Sequence, residues 1–429
     1  MVYVLSKDGK PLMPCENAVA RLLLKSGNAK VKRRTPFTIK LTRETTEYTQ
    51  RLTLGVDTGS GCIGTAVFGD GGDIVYTSNV IVRNDIADKM KRRAMYRRDR
   101  RNRKTRYRKS RFLNRANSTK KGRFSPTMRS KLHSHVKEIE YIKSILPIDK
   151  LIIETGTFDM QLMKNPELAD PKIKPFGYQH GPNYGYENTR AMVLDRDGHK
   201  CQHCNGRTKD SKLEVHHIIF RSHGGSDDSD NLITLCHTCH KKLHEGKIKL
   251  KLSGKKKGCL KHATQMNSIR KQLLRTYPEA IETFGYITKA NRIMLGVPKE
   301  HYYDACVIAS QGQPFVLKSA VYIKRCIPDG DFQQTKGVRS QQKINTGRIC
   351  DFRKFDKVKY LGNEYFIKGR MTSGYAFLMN IYGDKADFSS MPRGLKTPKM
   401  IDMKRLAARK TWMITTNALR KVVLRHGIE

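Results

Sequence analysis

Leu52-Thr-Leu-Gly-Val-Asp57 is an alternating apolar run that ends on a carboxylate, and Thr58-Gly-Ser-Gly61 follows it directly. The two-residue period and the glycine turn predict a strand. Two further strand-like stretches, Gly64–Phe68 and Ile74–Val82, flank the turn Gly69-Asp-Gly-Gly72. Strand, turn, strand, turn, strand reads as an antiparallel meander. Lys150-Leu-Ile-Ile-Glu154 is another apolar strand closing on an acid. Asp304 lies in a predicted helix, His301–Ser310, with His301 one turn before it on the same face. Acids at the ends of neighbouring strands can converge at one sheet edge. Three acids and a histidine there can hold two divalent ions for in-line attack on a phosphodiester. Strand-end acids also serve as ordinary turn residues, so position alone decides little.

The chain has 429 residues, which allows about three domains. Lys and Arg total 84 against 39 Asp and Glu, a formal net charge of +45. An excess of that size calls for a polyanion, either nucleic acid or an anionic membrane surface. No apolar run approaches the ~18 residues of a spanning helix, and the N-terminus lacks a signal-peptide core. Six of the ten cysteines are scattered, as free thiols in a reducing compartment would be. These features predict a cytoplasmic protein that handles nucleic acid, with no membrane partner.

Lys89 to Arg115 holds 15 Lys or Arg in 27 residues, with Asp99 the single acid and no Pro or Gly. A solvated basic arm would have this composition, and so would a helix that meets phosphates on nearly all sides. The excess of Arg over Lys favours the helix, since guanidinium forks phosphate oxygens. Tyr96, Tyr107 and Phe112 interleave as candidate base-stacking groups. Arg92, Arg93, Arg97, Arg98, Arg100, Arg101, Arg103, Arg106, Arg108 and Arg111 are the candidate nucleic-acid contacts.

Short strands at Val2–Leu5 and Phe37–Leu41 around a helix at Ala18–Lys25 predict a small basic α+β unit at the N-terminus. Met128–Leu146 has helical apolar spacing and stops at Pro147. Residues 161–186 are rich in Pro and Gly and 247–261 are rich in Lys, so both read as linkers. Thr264–Tyr277 reads as a helix, and the last hundred residues read as the hairpins of a small barrel.

Between the linkers, Cys201-x2-Cys204 and Cys236-x2-Cys239 supply four soft ligands for a tetrahedral structural Zn2+. The pairs enclose Glu214-Val-His216-His217 and Asn231, and His240 follows Cys239. Adjacent strand residues face opposite ways, so His216 and His217 suit one metal ligand and one base.

This segment resembles the HNH, or ββα-metal, nucleases. The resemblance implies His217 as general base, His216 and His240 as ligands of a catalytic cation, and Asn231 as the brace of the base's loop. Many relatives carry Asp where His216 stands and Asn where His240 stands. Imidazole suits Mn, Ni or Zn better than Mg, which leaves that ion open, with Mg2+ favoured by cellular abundance and Mn2+ the alternative.

Val-Asp57-x-Gly-Ser, Ile-Ile-Glu154 and His301-x-x-Asp304-Ala resemble the split RuvC nuclease motifs, a ribonuclease-H-like fold. With the HNH insertion, the arginine-rich helix and Pro11-Leu-Met-Pro14, the whole resembles the IscB family, compact relatives of the CRISPR type II effectors. The implied α/β organisation is an N-terminal domain over 1–50 and RuvC parts over 51–88, 128–160 and 262–320. A bridge helix with linker spans 89–127, HNH 187–246, and a C-terminal β-rich domain 321–429 that reads a target-adjacent motif. The implied activity is RNA-guided DNA cleavage by a monomeric ribonucleoprotein. A structured non-coding guide RNA would pair with double-stranded target DNA. HNH would cut the guide-paired strand, and RuvC, with Asp57, Glu154, Asp304 and His301 around Mg2+ or Mn2+, the displaced one. A two-centre nuclease without a guide and a non-catalytic RNA-binding zinc protein are the other readings of these residues.

Overall fold

The computed structural model describes the chain except residues 103–123, 165, 174–176, 179, 182, 221–222, 224, 226, 251–259, 329–346, 393 and 418–429. In chain order, β1 (Val2–Leu5), β2 (Pro11–Cys15), α1 (Asn17–Lys25), β3 (Ala29–Arg34) and β4 (Phe37–Leu41) come first. Then follow β5 (Leu52–Asp57), β6 (Cys62–Gly69), β7 (Asp73–Ile81), α2 (Ile86–Asn102), α3 (Pro126–Lys143) and β8 (Lys150–Thr155). Next are α4 (Met160–Lys164), α5 (Thr189–Arg196), β9 (Leu213–His217), β10 (Leu232–Cys236) and α6 (His237–His244). The chain continues through α7 (Lys261–Thr276), β11 (Ile281–Phe284), α8 (Gly285–Met294), α9 (His301–Ser310), β12 (Val316–Leu317) and β13 (Val321–Cys326). It closes with β14 (Lys357–Tyr360), β15 (Asn363–Arg370), β16 (Ala376–Met379), β17 (Lys404–Ala407) and β18 (Trp412–Asn417). Two units result, one from 1–157 and 265–429, the other from 158–264.

The first unit is built on an eight-stranded sheet in the order β11-β8-β5-β6-β7-β13-β18, with β12 on β7. The expected meander is there: β5 pairs antiparallel with β6, and β6 with β7. β8 lies parallel to β5, and Asp57 is the register partner of Glu154. Both sheet faces are covered, which is why β5 is apolar almost throughout. Leu52, Leu54 and Val56 pack with Ile139 and Ile142 of α3 and Ile269 and Leu273 of α7. The alternate positions, Gly55 and Asp57, face α9. A Cβ on Gly55 would lie 2.5 Å from the Ala305 carbonyl oxygen, and one on Gly64 would run into the His301 carbonyl. These two glycines let α9 lie directly on β5 and β6, which brings His301 down to the end of β5.

One ion pair is sealed in this core. Lys324 Nζ donates to both Glu138 carboxylate oxygens, at 2.7 and 2.9 Å, and both side chains are fully buried. Ser78 and Tyr76 hydroxyls also donate to Glu138, and the ammonium sits over the rings of Tyr141, Trp412 and Tyr76. Burial pulls the Lys324 pKa down against the pull of Glu138. With every polar atom partnered, the pair ties α3 to β13 and β7.

The N-terminal sheet has the order β2-β1-β4-β3. Its edges are the strands without alternation: β2 holds two prolines and β3 is mostly basic, and neither composition suits a central strand. The stretch expected as a linker over 161–186 contains helical turns, α4 and Pro166–Ala169 among them. The predicted C-terminal barrel is corrected in part. Its described strands form a four-stranded antiparallel sheet, β16-β15-β14-β17, while β13 and β18 join the large sheet. The predicted basic helix is observed through Asn102, and its continuation lies outside the described residues.

In the second unit β9 and β10 form an antiparallel pair followed by α6. Its described apolar clusters are small: Cys201, Ile233, Leu235, Cys236 and Cys239 are the buried members of one, and Met192, Val193 and Leu232 those of another. Three of the first cluster's members are thiols, and the fourth thiol, Cys204, packs partly buried against them, so four thiols meet at a small core, as they do around a structural metal.

Candidate metal and nuclease centres

The four cysteine sulfurs, two from the segment before β9 and two at the β10–α6 junction, all lie within 4.8 Å of one another. Cys204 and Cys236 are 3.8 Å apart. Zn–S bonds of about 2.3 Å place tetrahedral sulfurs about 3.8 Å apart, so the donor set fits zinc. The Thr208 hydroxyl sits 3.3 Å from Cys204 Sγ and 3.1 Å from Cys236 Sγ, where it can hydrogen-bond thiolates.

A second cluster gathers His216 from β9 with His240 and His244 from α6, each offering a ring nitrogen within 4.8 Å of the others. His240 and His244 Nε2 atoms are 3.2 Å apart. Burial, and then the neighbouring His240 and His244, push the His216 pKa down to about 4, so it is neutral near pH 7 as a metal ligand must be. Glu214 Oε2 lies 2.7 Å from His240 Nδ1, which fixes the tautomer that leaves Nε2 free for an ion. His244 was not among the residues singled out from sequence. Its signal is the spacing His240-x3-His244, which puts both imidazoles on one helix face.

His217 faces the other way, as strand alternation requires, and its Nε2 is 2.7 Å from Asp227 Oδ1. Asn231 Oδ1 accepts from Ile219 N at 2.8 Å, and its Nδ2 donates to Ile219 O at 3.0 Å. The loop that follows His217 is thereby clamped through both backbone groups of one residue, Ile219. His216, His217, Asn231 and His240 are thus collected by the β9–β10–α6 unit.

In the other unit, His301 Nδ1 lies 2.6 Å from Asp57 Oδ2 at the end of β5. Thr58 Oγ1 donates to the Glu154 backbone oxygen at 2.7 Å, and the Thr288 hydroxyl donates to Glu154 Oε2. Burial and then the Asp57 charge push Glu154 up to about 7. Burial also raises Asp57, and burial and Asp57 together raise Asp304. Carboxylates that repel one another in a half-buried site are a setting that a cation relieves. Asp304 shares α9 with His301, yet its Oδ1 meets Arg292 Nε at 3.1 Å while His301 turns to Asp57. Arg292 and Thr288, both on α8, were not singled out from sequence.

Arg92, Arg93, Arg97 and Arg98 lie exposed along α2, which also carries positions Arg100 and Arg101. Arg103, Arg106, Arg108 and Arg111 lie outside the described residues. Among the described residues no helix is long and apolar enough to cross a membrane.

Parts of the chain are similar to known proteins. Residues 2–181 match the family model described as RRXRR protein, and residues 201–246 match HNH endonuclease. Anaredoxin of Nostoc sp. is 36% identical over 67 residues, covering 16% of this chain and 86% of that protein. The type IV methyl-directed restriction enzyme EcoKMcrA of Escherichia coli is 36% identical over 64 residues, 14% of this chain and 23% of that enzyme. Among solved structures, Streptococcus thermophilus Cas9 in complex with the AGAA PAM has a TM-score of 0.33 at 12% identity, over 57% of this chain and 32% of that one. The type II-C Cas9 of Actinomyces naeslundii gives 0.23 at 12%, over 61% and 60%. With an RRXRR region running into an HNH endonuclease domain, the chain belongs to the IscB-like nucleases.

Proposed function

We propose that the chain is an RNA-guided DNA endonuclease with two cutting centres. The observation that carries the cutting chemistry is the histidine arrangement of the HNH domain. Three imidazoles converge on one face of β9 and α6, and a fourth, His217, stands on the opposite face beside Asp227.

In this reading His217 gives its Nε2 hydrogen to Asp227, so Nδ1 is the basic atom that takes the proton of the attacking water. Asn231 keeps the loop after His217 in place. A divalent ion, Mg2+ or Mn2+, held by His216, His240 and His244 would neutralise charge on the leaving oxygen. Glu214 orients His240 for that task.

The second centre is read as a RuvC centre on a ribonuclease-H-like core divided among residues 51–88, 128–160 and 262–320. The sheet order and the register pairing of Asp57 with Glu154 support it. Asp57, Glu154 and Asp304 would hold divalent ions there, and His301 would manage the proton of the nucleophile. HNH cuts the guide-paired strand and RuvC the displaced strand. The arginines of α2 brace a structured non-coding RNA, whose pairing with target DNA chooses the sequence. The C-terminal strands read a short motif beside the target.

Sequencing the nucleic acid that copurifies with the protein tests the guided reading. A single structured RNA with a variable end is the expected result. Purified protein that cuts DNA in the absence of any RNA would show a two-centre nuclease without a guide.

A further inference from the structure

We propose that a cationic cleft between α2, α3 and the β13–β18 pair seats one unpaired nucleotide of a bound RNA strand; this rests on the RNA-guided reading and extends it to residues outside α2.

The cleft encloses about 450 Å³ and is lined by Arg83, Arg93, Arg129, His133, Lys137 and Trp412, with no acid in its wall among the described residues. That volume lies within the ~300–1,000 Å³ of small-ligand pockets, room for a nucleotide but not a duplex. Arg129, His133 and Lys137 recur every fourth residue on α3 and are exposed, while Lys131, Ser134 and His135 between them, and Glu138 after them, are buried. Four residues of helix advance about 6 Å, close to the spacing of successive phosphates along a strand. The stripe is therefore a ladder, two cations with an imidazole donor between them, that a backbone can follow.

Asp85 lies outside the wall and pairs with Arg83 at 3.0 Å and with the lining Lys89 at 2.5 Å. It partly neutralises that end of the cleft, so the strongest field lies along α3. Trp412 supplies the aromatic surface. Its indole is fixed by the edge-on ring of Tyr141, 5.2 Å away, and by the Lys324 ammonium, 5.0 Å from its centre. A fixed indole beside a phosphate ladder is the chemistry that holds a splayed base. Ser130 and Thr411 also line the cleft and give hydroxyls to meet a ribose 2′-OH. The cleft is continuous with α2, which carries the exposed arginines.

Trp412 is the single tryptophan of the chain, so intrinsic fluorescence reports on this cleft alone. The full-length protein, stripped of nucleic acid at high salt, is titrated with a twelve-residue oligouridine and with its deoxy counterpart. Binding is followed in parallel by the anisotropy of a dye on the oligomer. The expected result is saturable quenching of Trp412 by the RNA, at the midpoint seen by anisotropy, with at least fivefold weaker quenching by the deoxy-oligomer. Arg129→Ala with Lys137→Ala, both surface changes, weakens RNA binding at least tenfold and reduces the salt slope by about 1.4, two single-strand phosphate contacts. RNA binding by anisotropy without change in Trp412 emission overturns the cleft assignment and leaves the guided reading intact. Equal quenching by both oligomers overturns the assignment to RNA. Absence of any RNA binding overturns the guided reading itself.

Discussion

Asp57 Oδ2 and His301 Nδ1 lie 2.6 Å apart although 244 residues separate them in sequence. The contact exists because Gly55 and Gly64 leave room for α9 against the sheet. Gly64→Ala is therefore expected to lift the start of α9 and cut displaced-strand cleavage at least tenfold, while guide-paired-strand cleavage stays within twofold. Strand-labelled substrates resolve the two rates.

Glu154 gives a pH prediction for the metal-free protein. Its folded pKa, about 7, stands above the ordinary 4.5, so the folded state binds more protons than the unfolded chain between those values. Its contribution to stability is therefore full below about 4.5 and declines as the pH rises to 7. Relative to Glu154→Gln, the wild type should melt progressively lower across that window, and millimolar Mg2+ should restore it. Parallel pH dependence of the two proteins in thermal melts would show that Glu154 is not perturbed.

Thr288 holds Glu154 through its hydroxyl. Thr288→Val should lower displaced-strand cutting about tenfold, whereas Thr288→Ser should retain most of it. Initial rates for the three proteins, with guide-paired-strand cutting as internal reference, check the pair.

His244→Ala removes one of three imidazoles and should reduce guide-paired-strand cutting by at least a hundredfold. Glu214→Gln leaves all three but loosens His240, for which a loss of 10–100-fold in metal affinity is expected. Manganese titration of each variant separates the ligand from its support.

The Lys324–Glu138 pair makes an opposite kind of prediction. Lys324→Met strands a buried carboxylate and should cost about 3–5 kcal/mol. Adding Glu138→Leu should recover much of that loss. Denaturant midpoints for the two singles and the double measure the coupling.

Much of this was legible in the chain because period-two strands ending on acids are short-range patterns. β5 and β8 follow from them, β6 and β7 from the glycine turn between them, and α9, the cysteine pairs and the His216–His217 split from other short-range spacings. The edge strands β3 and β11 were not legible. A strand such as Ala-Lys-Val-Lys-Arg-Arg has no buried face to impose alternation. The roles of Lys324, Thr288 and Arg292 were hidden for another reason: each depends on a partner far away in sequence. A lysine in a strand looks solvated until the fold closes over it. The two strands β13 and β18 reach the large sheet from a stretch whose local pattern suits either sheet.

The central claim is that two centres cut opposite strands. It is tested most directly by strand-resolved cleavage of a guide-matched duplex with Asp57→Ala, His217→Ala and the double variant. Each single variant should nick one strand only, on opposite strands, and the double should bind without cutting. Loss of cutting on both strands by either single variant, with binding intact, would contradict the account.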